Sequence, residues 1–597
     1  MTVDTSAAGI TWNLSDLYAG YDDPAINATM QQVTTEATAF ADIYRGSINI
    51  PGGPEPLHLL EGLERLETLT DTAYRLAVYA MLLFSGDTSK PEHRDLQQRM
   101  EQWLTGIQNQ LLFFKLEWLG LSDADAQKLL DDPALARYRH YLAGERRYQP
   151  HTLSEPEERI INEKDVTGAN AWQRLFTEMT SGLSFPLERE GQTEQLPLAA
   201  ILTLLRNPDR AIRQQAHTTL YTVLGDQAQT LAFVYNTLMQ DHLNIDRLRH
   251  YPDPMARRNL DNEVAPEVVA TMMDVVEQNY DIAQRYFALK ARLLGLPRLQ
   301  VYDQYAPLGQ VTTHKSYAEA RTIILEALGG FDMRFQEIAA RFFDEHWIDA
   351  EVRPGKRGGA FCMGLPPSHH PYILCNYTDE IRDVMTVAHE LGHGIHFWLA
   401  RTQSLFNFMP TLPLAETASV FGEILVFEHL LNQEQDEAAK LALICSKIED
   451  IFATVFRQNV LTRFEQAAFA GRAQGRLTPE QLGERWIEAN GRYYGDAVEQ
   501  TPGYELGWSY IPHFINSPFY CYSYVFGELL VLALYAMYRE QGTAFVPRYL
   551  ALLEAGGSQA PGELLAALGV DSHDPTFWQL GFNELRRMVD WAHELAG

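Results

Sequence analysis

The stretch Thr386-Val387-Ala388-His389-Glu390-Leu391-Gly392-His393-Gly394-Ile395-His396 holds three histidines and a glutamate at spacings that suit a metal. On an α-helix His389 and His393 stand four residues apart, about 6 Å along the axis and on one face, so both imidazoles reach a single tetrahedral zinc ion at about 2 Å. Glu390 then falls beside the open coordination position. Zinc lowers the pKa of a bound water to roughly 7, and a neighbouring carboxylate takes the proton as that water attacks a carbonyl. The spacing therefore implies amide-bond hydrolysis with Glu390 as general base. The same pattern also arises by chance, as two histidines on a polar helix face, so context must carry part of the argument. Val384, Val387, Ala388, Leu391 and Ile395 make much of this helix apolar. Two histidines and a glutamate buried there are costly without partners, and a metal is the partner that explains all three.

A catalytic zinc site needs a third protein ligand and one position left for water. His396 and Glu416 compete for it. His396 is nominally on the same face as His389, but its Cα stands about 10 Å along the axis, out of reach unless the helix breaks at Gly394. Glu416 belongs to Pro413-Leu414-Ala415-Glu416-Thr417-Ala418-Ser419-Val420-Phe421-Gly422-Glu423, which reads as a second buried helix starting at a proline and able to present a carboxylate. Axial distance favours Glu416, whose ordinary alternative is a first-turn acid complementing the helix dipole. Glu423, two turns further on the same face, suits a hydrogen bond that fixes the tautomer of a ligand imidazole, or is a surface acid.

These residues need positioning elements. Thr378 reads as the N-cap of the metal helix, with Asp379 and Glu380 in its first turn. Upstream, residues 348–352, the turn 354–359 and residues 360–363 read as strand, turn, strand, and 372–377 as a third strand leading into the helix. Gly358 and Gly359 there permit either a tight bend or a substrate peptide pairing with the strand edge near Ala360. His369 and His370 read as solvated loop residues. Residues 1–11 look poorly ordered, and Trp12-Asn13-Leu14-Ser15-Asp16-Leu17-Tyr18 supplies anchoring aromatics. Asp22-Asp23-Pro24 is a helix start, and helical periodicity runs from there to about Leu202, as in Leu59, Leu60, Leu63 and Leu66 or Leu104, Ile107, Leu111 and Leu112. A second helical block spans 211–295. Ser517-Pro518 reads as cap and first residue of a helix on which Tyr520 and Tyr524 share a face. The apolar run 518–538 is interrupted by Glu528, Ser523 and tyrosines, as in a buried core helix rather than a membrane span.

With 78 acidic against 48 basic residues in 597, the formal charge is -30, which argues against nucleic acid and anionic membrane as partners. Cys362, Cys375, Cys445 and Cys521 form no Cys-x-x-Cys pair, so a reducing compartment, the cytoplasm, is expected. Residues 1–12 lack the basic and apolar regions of a secretory signal.

His389-Glu390-Leu391-Gly392-His393-Gly394-Ile395-His396, followed by Ala415-Glu416-Thr417-Ala418-Ser419, resembles the oligoendopeptidase F group of the thimet-oligopeptidase family of zinc metallopeptidases. The resemblance extends to residues 12–18, to Gly355-Lys356-Arg357-Gly358-Gly359-Ala360-Phe361-Cys362 and to Pro512-His513-Phe514 with Pro518-Phe519-Tyr520, and so covers nearly the whole chain. It implies Glu416 as the third ligand, with His396 a nearby conformational or hydrogen-bonding residue. It also implies that His513 and a tyrosine of the C-terminal segment donate to the oxyanion of the tetrahedral intermediate. Tyr524 fits best, with Tyr520 or Tyr522 as alternatives. The expected fold is mainly α, a two-lobed helical ellipsoid with a deep channel and a small sheet beside the metal helix. Residues 1–202 would form an N-terminal helical region and channel wall, and 203–597 the catalytic domain. The expected activity is a cytoplasmic endopeptidase, with one zinc per chain, that cleaves short peptides. A carboxypeptidase or dipeptidyl carboxypeptidase on the same site is the enzymatic alternative, and a helical binding protein with a structural metal the other.

Overall fold

The computed structural model describes residues 5–189, 191–309 and 314–597, apart from the side chain of Glu155. It is mainly α: 70% helical, with only small sheets. Helices begin where the caps expect them. The Asp23 carboxylate accepts the Ala25 N–H at 2.8 Å at the start of Pro24–Tyr44, and Asp209 does the same for Ala211 at 2.8 Å at the start of Arg210–Asp226. Pro24–Tyr44, Pro56–Gly86 and Pro91–Gly120 bury Phe40, Leu59, Leu63, Ile107, Phe114 and Trp118 in one core. Leu112, periodic with that face, is instead 47% exposed. Phe185–Arg189 and Gln192–Leu196 form an antiparallel hairpin inside a region that reads as helical. Its signal was the alternation of buried Phe185 and Leu187 ahead of Gly191, whose φ of +78° suits a tight turn.

The chain forms two compact units, neither continuous in sequence. One comprises Met1–Gln149, Thr312–Gln433 and Met537–Val570, of which 1–4 and 312–313 lie outside the described residues; the other comprises Pro150–Val311, Glu434–Ala536 and Asp571–Gly597, of which 190, 310 and 311 do. Position 202/203 is not a point at which the chain passes from one unit to the other.

In the first unit, β1 (Ile348–Asp349), β2 (Phe361–Met363) and β3 (Tyr372–Leu374) form a sheet of order β1-β3-β2, with β1 parallel and β2 antiparallel to β3. The first two strands therefore do not pair with each other. Fully buried β3 takes the centre, and the loop between β1 and β2 is pinned by Lys356, whose ammonium donates to the carbonyls of Asp349, Glu351 and Cys375 at 3.0, 2.8 and 2.6 Å. Trp12 packs against Phe361 and Tyr372 at 6.5 and 6.1 Å between ring centroids. Residues 5–11 are held rather than loose: Ala7 is fully buried, and the Ile10 carbonyl accepts the Ala350 N–H at 2.9 Å. His370 is not a solvated loop residue either. It stacks on Trp347 at 3.9 Å and meets Asp16 Oδ2 at 2.7 Å, while His369 Nε2 lies 3.4 Å from Arg75 Nη1.

Two helices complete this part, α1 (Ile381–Ala400) and α2 (Thr417–Gln433). Glu380, not Thr378, caps α1. Asp379 has a φ of +68°, its carboxylate accepting the Ser6 N–H at 3.1 Å and its carbonyl the Lys315 N–H at 2.9 Å, so the helix cannot start before it. In the second unit lie α3 (Phe456–Gln474) and most of α4 (Cys521–Gln541). α4 heads the one stretch among the described residues, Cys521–Ala544, that is apolar and long enough to cross a membrane, and 83% of its most apolar window is buried inside the protein.

Candidate metal centre and tyrosine segment

α1 runs unbroken through Gly394, so His389 and His393 share a face and His396 does not join them. His396 is 4% exposed, and burial drops its imidazole to a pKa of about 3, so it stays neutral. Glu416 is not inside a helix of its own. It ends the short helix Leu412–Ala415, immediately before α2, with φ -88° and ψ 2°, and from this junction its carboxylate turns toward α1. Its Oε2 lies 3.3 Å from His389 Nε2 and 3.4 Å from His393 Nε2.

Those separations test the fit of a metal. Two donors at about 2.0–2.1 Å from one tetrahedral ion stand about 3.3–3.4 Å apart. His389, His393 and Glu416 are also the group of metal-ligating side chains that gathers among the described residues. The donor set, two imidazole nitrogens and a carboxylate oxygen, is that of a catalytic zinc with one position left open, whereas a structural zinc takes four protein ligands.

Neighbouring groups orient these three. Glu423 Oε2 meets His389 Nδ1 at 3.3 Å, which leaves Nε2 for the metal, and the Ser419 hydroxyl donates to Glu416 Oε2 at 2.6 Å. Burial opposes a charge on His389, but the Glu423 hydrogen bond and the Glu416, Glu423 and Glu390 carboxylates outweigh it and raise the imidazole to about 9. Burial likewise opposes ionisation of Glu416, but His393, His389 and Ser419 lower its carboxyl to about 2. Proton and metal thus compete for one anionic pocket. Glu390, on the same helix, is 7% exposed; burial raises its carboxyl, partly countered by the two histidines and by the Cys362 N–H that it accepts.

Close packing makes the meeting of α1 and α2 possible. A Cβ on Gly392 would lie 2.7 Å from the Ala418 carbonyl carbon and closer still to Ser419 Cα. At the start of α2 the Tyr549 hydroxyl donates to the Thr417 carbonyl at 2.8 Å, and its ring stacks on Phe421 at 4.4 Å. Ser419 and Tyr549 escape a sequence reading: the first stood inside a recognised motif without a role, and the second is far away along the chain.

Gly358 and Gly359 lie in the turn before β2, not in a strand. Gly359 has a φ of +80°, which favours glycine. Ala360 precedes β2, and β2 is an edge strand hydrogen-bonded on one side to β3.

In the second unit, His513, Tyr520 and Tyr524 cluster. Tyr520 stacks on His513 at 5.9 Å, Tyr524 meets Tyr520 edge-on at 5.1 Å, and the Tyr524 hydroxyl is 3.5 Å from His513 Nε2. Burial, with the Arg457 charge, lowers the His513 pKa. Tyr522 points elsewhere: it is fully buried, its hydroxyl donates to Asn259 Oδ1 at 2.8 Å, and it accepts from Asn262 Nδ2 at 2.8 Å. α4 starts at Cys521, not at Pro518, because Phe519 is left-handed with a φ of +57°.

Comparison with known proteins agrees with this chemistry. The model of peptidase family M3 matches residues 203–584, and that of oligopeptidase F matches 117–185. Oligopeptidase PepF of Bacillus subtilis is 27% identical, covering 98% of this chain and 87% of its own, and group B oligopeptidase PepB of Streptococcus agalactiae is 28% identical over 88% and 89%. Oligoendopeptidase F of Enterococcus faecium shares the fold with a TM-score of 0.70 at 24% identity, over 95% of this chain and 98% of its own. A match over more than half of the chain, together with a His-His-Glu cluster built on a His-Glu-x-x-His helix and the Glu416 that approaches it, leads to one conclusion: the chain belongs to peptidase family M3 and is a metallopeptidase.

Proposed function

We propose that the metal of this enzyme, an endopeptidase of short peptides, is zinc, held one per chain by His389, His393 and Glu416. The observation that carries the reading is the pair of 3.3 and 3.4 Å separations between Glu416 Oε2 and the two imidazole nitrogens, which suit a tetrahedral ion. Zinc, when bound, supplies Lewis-acid polarisation of the scissile carbonyl and acidification of a water. Glu390 takes the proton of the attacking water and delivers it to the leaving amine; its burial, and the raised carboxyl pKa that follows, suit a group that both accepts and returns a proton. Glu423 holds His389 in the tautomer that presents Nε2.

His513 and Tyr524 donate to the oxyanion, and Tyr520 orients them. Supporting this are the resemblance of the segment and the contact between the three rings. The hydrogen bonds of Tyr522 to Asn259 and Asn262 speak for an anchoring role there instead. A substrate backbone pairs with the open edge of β2 near Ala360, after the turn at Gly358 and Gly359, an arrangement that accepts many sequences. The catalytic part of the sequence is residues 203–597, a boundary supported by the start of the family match at residue 203, whereas the compact units of the fold divide elsewhere. The enzyme works in the cytoplasm on peptides, not on nucleic acid or membranes. Four cysteines without disulfides support the compartment, and a formal charge of -30 the exclusions. Mass spectrometry of the products from peptides of graded length, with and without chelator, tests the reading. Internal cuts that vanish with chelator and return with zinc are expected. Release of single residues or dipeptides from the C-terminus, or activity indifferent to chelation, would overturn it.

A further inference from the structure

We infer that Glu465 is a positioning residue for the reaction: by accepting the Phe519 N–H it holds the left-handed turn that aims Tyr520 and Tyr524 at His513. This rests on the reading of His513 and Tyr524 as oxyanion donors.

Glu465 lies on α3 and is fully buried, and among the described residues it forms no ion pair. Tyr235 and Cys521 are close enough to feel its charge, and the Arg258 guanidinium, which lies over the Tyr520 ring at 5.5 Å, favours its ionised form from a distance without pairing with it. A carboxyl is costly in such a place unless it satisfies something. Its Oε1 accepts the Phe519 N–H at 3.1 Å, while Oε2 has no hydrogen-bond partner among the described residues. The connection to Phe519 is therefore the structural work that this side chain does.

Phe519 needs the support. Its φ of +57° is a conformation that a bulky residue rarely adopts. Its N–H precedes α4 and would be a buried orphan without an acceptor. α3 grips the residue twice: Glu465 takes the backbone, and Phe469, one turn later, packs on the ring at 4.8 Å, with His242 at 6.1 Å. From this turn the Tyr520 N–H reaches the Ser517 carbonyl at 3.1 Å and the Ser523 N–H the Tyr520 carbonyl at 3.0 Å, and the chain enters α4. The turn thus sets where Tyr520 lies on His513, and where Tyr524, four residues on, brings its hydroxyl. A right-handed Phe519 would redirect the chain between Pro518 and Tyr520 and pull the rings apart. The role needs an acceptor, not a charge, in keeping with a carboxyl that burial raises to about 8.

The test compares E465Q, E465L and E465D with Y524F, each at equal zinc content and with its melting temperature, by kcat and KM on an internally quenched peptide. E465Q keeps the acceptor oxygen and should stay within about threefold of wild type in both constants. E465L should lose about tenfold or more in kcat with KM within about twofold, because the donors act in the transition state. E465D, which withdraws the oxygen by one methylene, should show the same split more mildly and serves if E465L does not fold. A folded E465L or E465D with wild-type kcat, or an E465Q as impaired as E465L, overturns the inference. Y524F separates the premises. If Y524F itself keeps wild-type kcat, the assignment of the segment fails; if Y524F is impaired and E465L is not, only the positioning role does.

Discussion

Gly392→Ala should empty the metal site, and the structure says by how much the helices must move. A Cβ there would sit 2.7 Å from the Ala418 carbonyl carbon and closer still to Ser419 Cα, against an ordinary carbon–carbon contact of about 3.5–4.0 Å, so α1 and α2 must separate by at least about 1 Å. Glu416, at the entrance to α2, moves with it. Metal–ligand distances tolerate only about 0.2 Å, so this shift takes the carboxylate out of bonding range of an ion still held by His389 and His393. Zinc affinity should fall by at least about 100-fold, beyond the effect of losing an outer hydrogen-bond partner. Overpacking should also cost about 1–3 kcal/mol of stability, against about 1 kcal/mol returned by alanine's helix propensity. Gly422→Ala is the internal control. It lies across the same interface, but its added Cβ would meet the Ala388 carbonyl oxygen at 3.5 Å and Gly392 Cα at 3.9 Å, ordinary contacts. It should bind zinc within about threefold of wild type and melt no lower. Zinc affinity by chelator competition, with melting curves for both proteins, gives the answer. A G392A protein that binds zinc like wild type, or a G422A protein as damaged as G392A, would refute the close-packing argument.

Glu390→Gln should retain zinc and lose peptide hydrolysis, measured with metal analysis on the same sample; retained activity would remove Glu390 as the base. Tyr524→Phe should lower kcat by roughly two orders of magnitude at unchanged zinc content. Tyr522→Phe should leave kcat within about threefold while costing about 1–3 kcal/mol in denaturant unfolding, because Asn259 Oδ1 loses its buried donor. Stability should also depend on pH through Glu465. Its folded pKa, raised to about 8 from an ordinary 4.5, means that the folded protein binds the extra proton between those values, so this group's contribution weakens stability as pH rises from about 4.5 to 8. E465Q should flatten that slope in chemical denaturation, and an unchanged slope would assign the pH dependence to other groups.

Two helix starts read from the sequence are displaced for one physical reason. Thr378 and Ser517 are sound caps by residue type, yet α1 begins at Ile381 and α4 at Cys521. In each case a non-glycine residue in between is left-handed, Asp379 at +68° and Phe519 at +57°. Nothing local asks for that conformation. It is held by Ser6 and Lys315 at Asp379, and by Glu465 at Phe519. The sheet order is similar: three strands were visible from their residues, but the central place of β3 depends on burial and on the reach of Lys356 across the loop.

That His389 and His393 share one helix face, with Glu390 between them in the chain, was legible from the sequence because the relation is local. Four residues on a helix is a fixed distance, whatever surrounds it. By the same rule His396 lay too far along the axis. The completion of the site was not local. Whether Glu416 reaches the two imidazoles depends on how tightly α2 packs against Gly392 and on the pull of Ser419, and Glu416 itself sits between helices rather than in one. Among Tyr520, Tyr522 and Tyr524, composition draws no distinction. The packing does, by tying Tyr522 to Asn259 and Asn262 and leaving the other two against His513. Spacing along one helix is carried by backbone geometry alone, whereas distances between helices are set by side-chain volume and by hydrogen bonds between residues far apart in the chain.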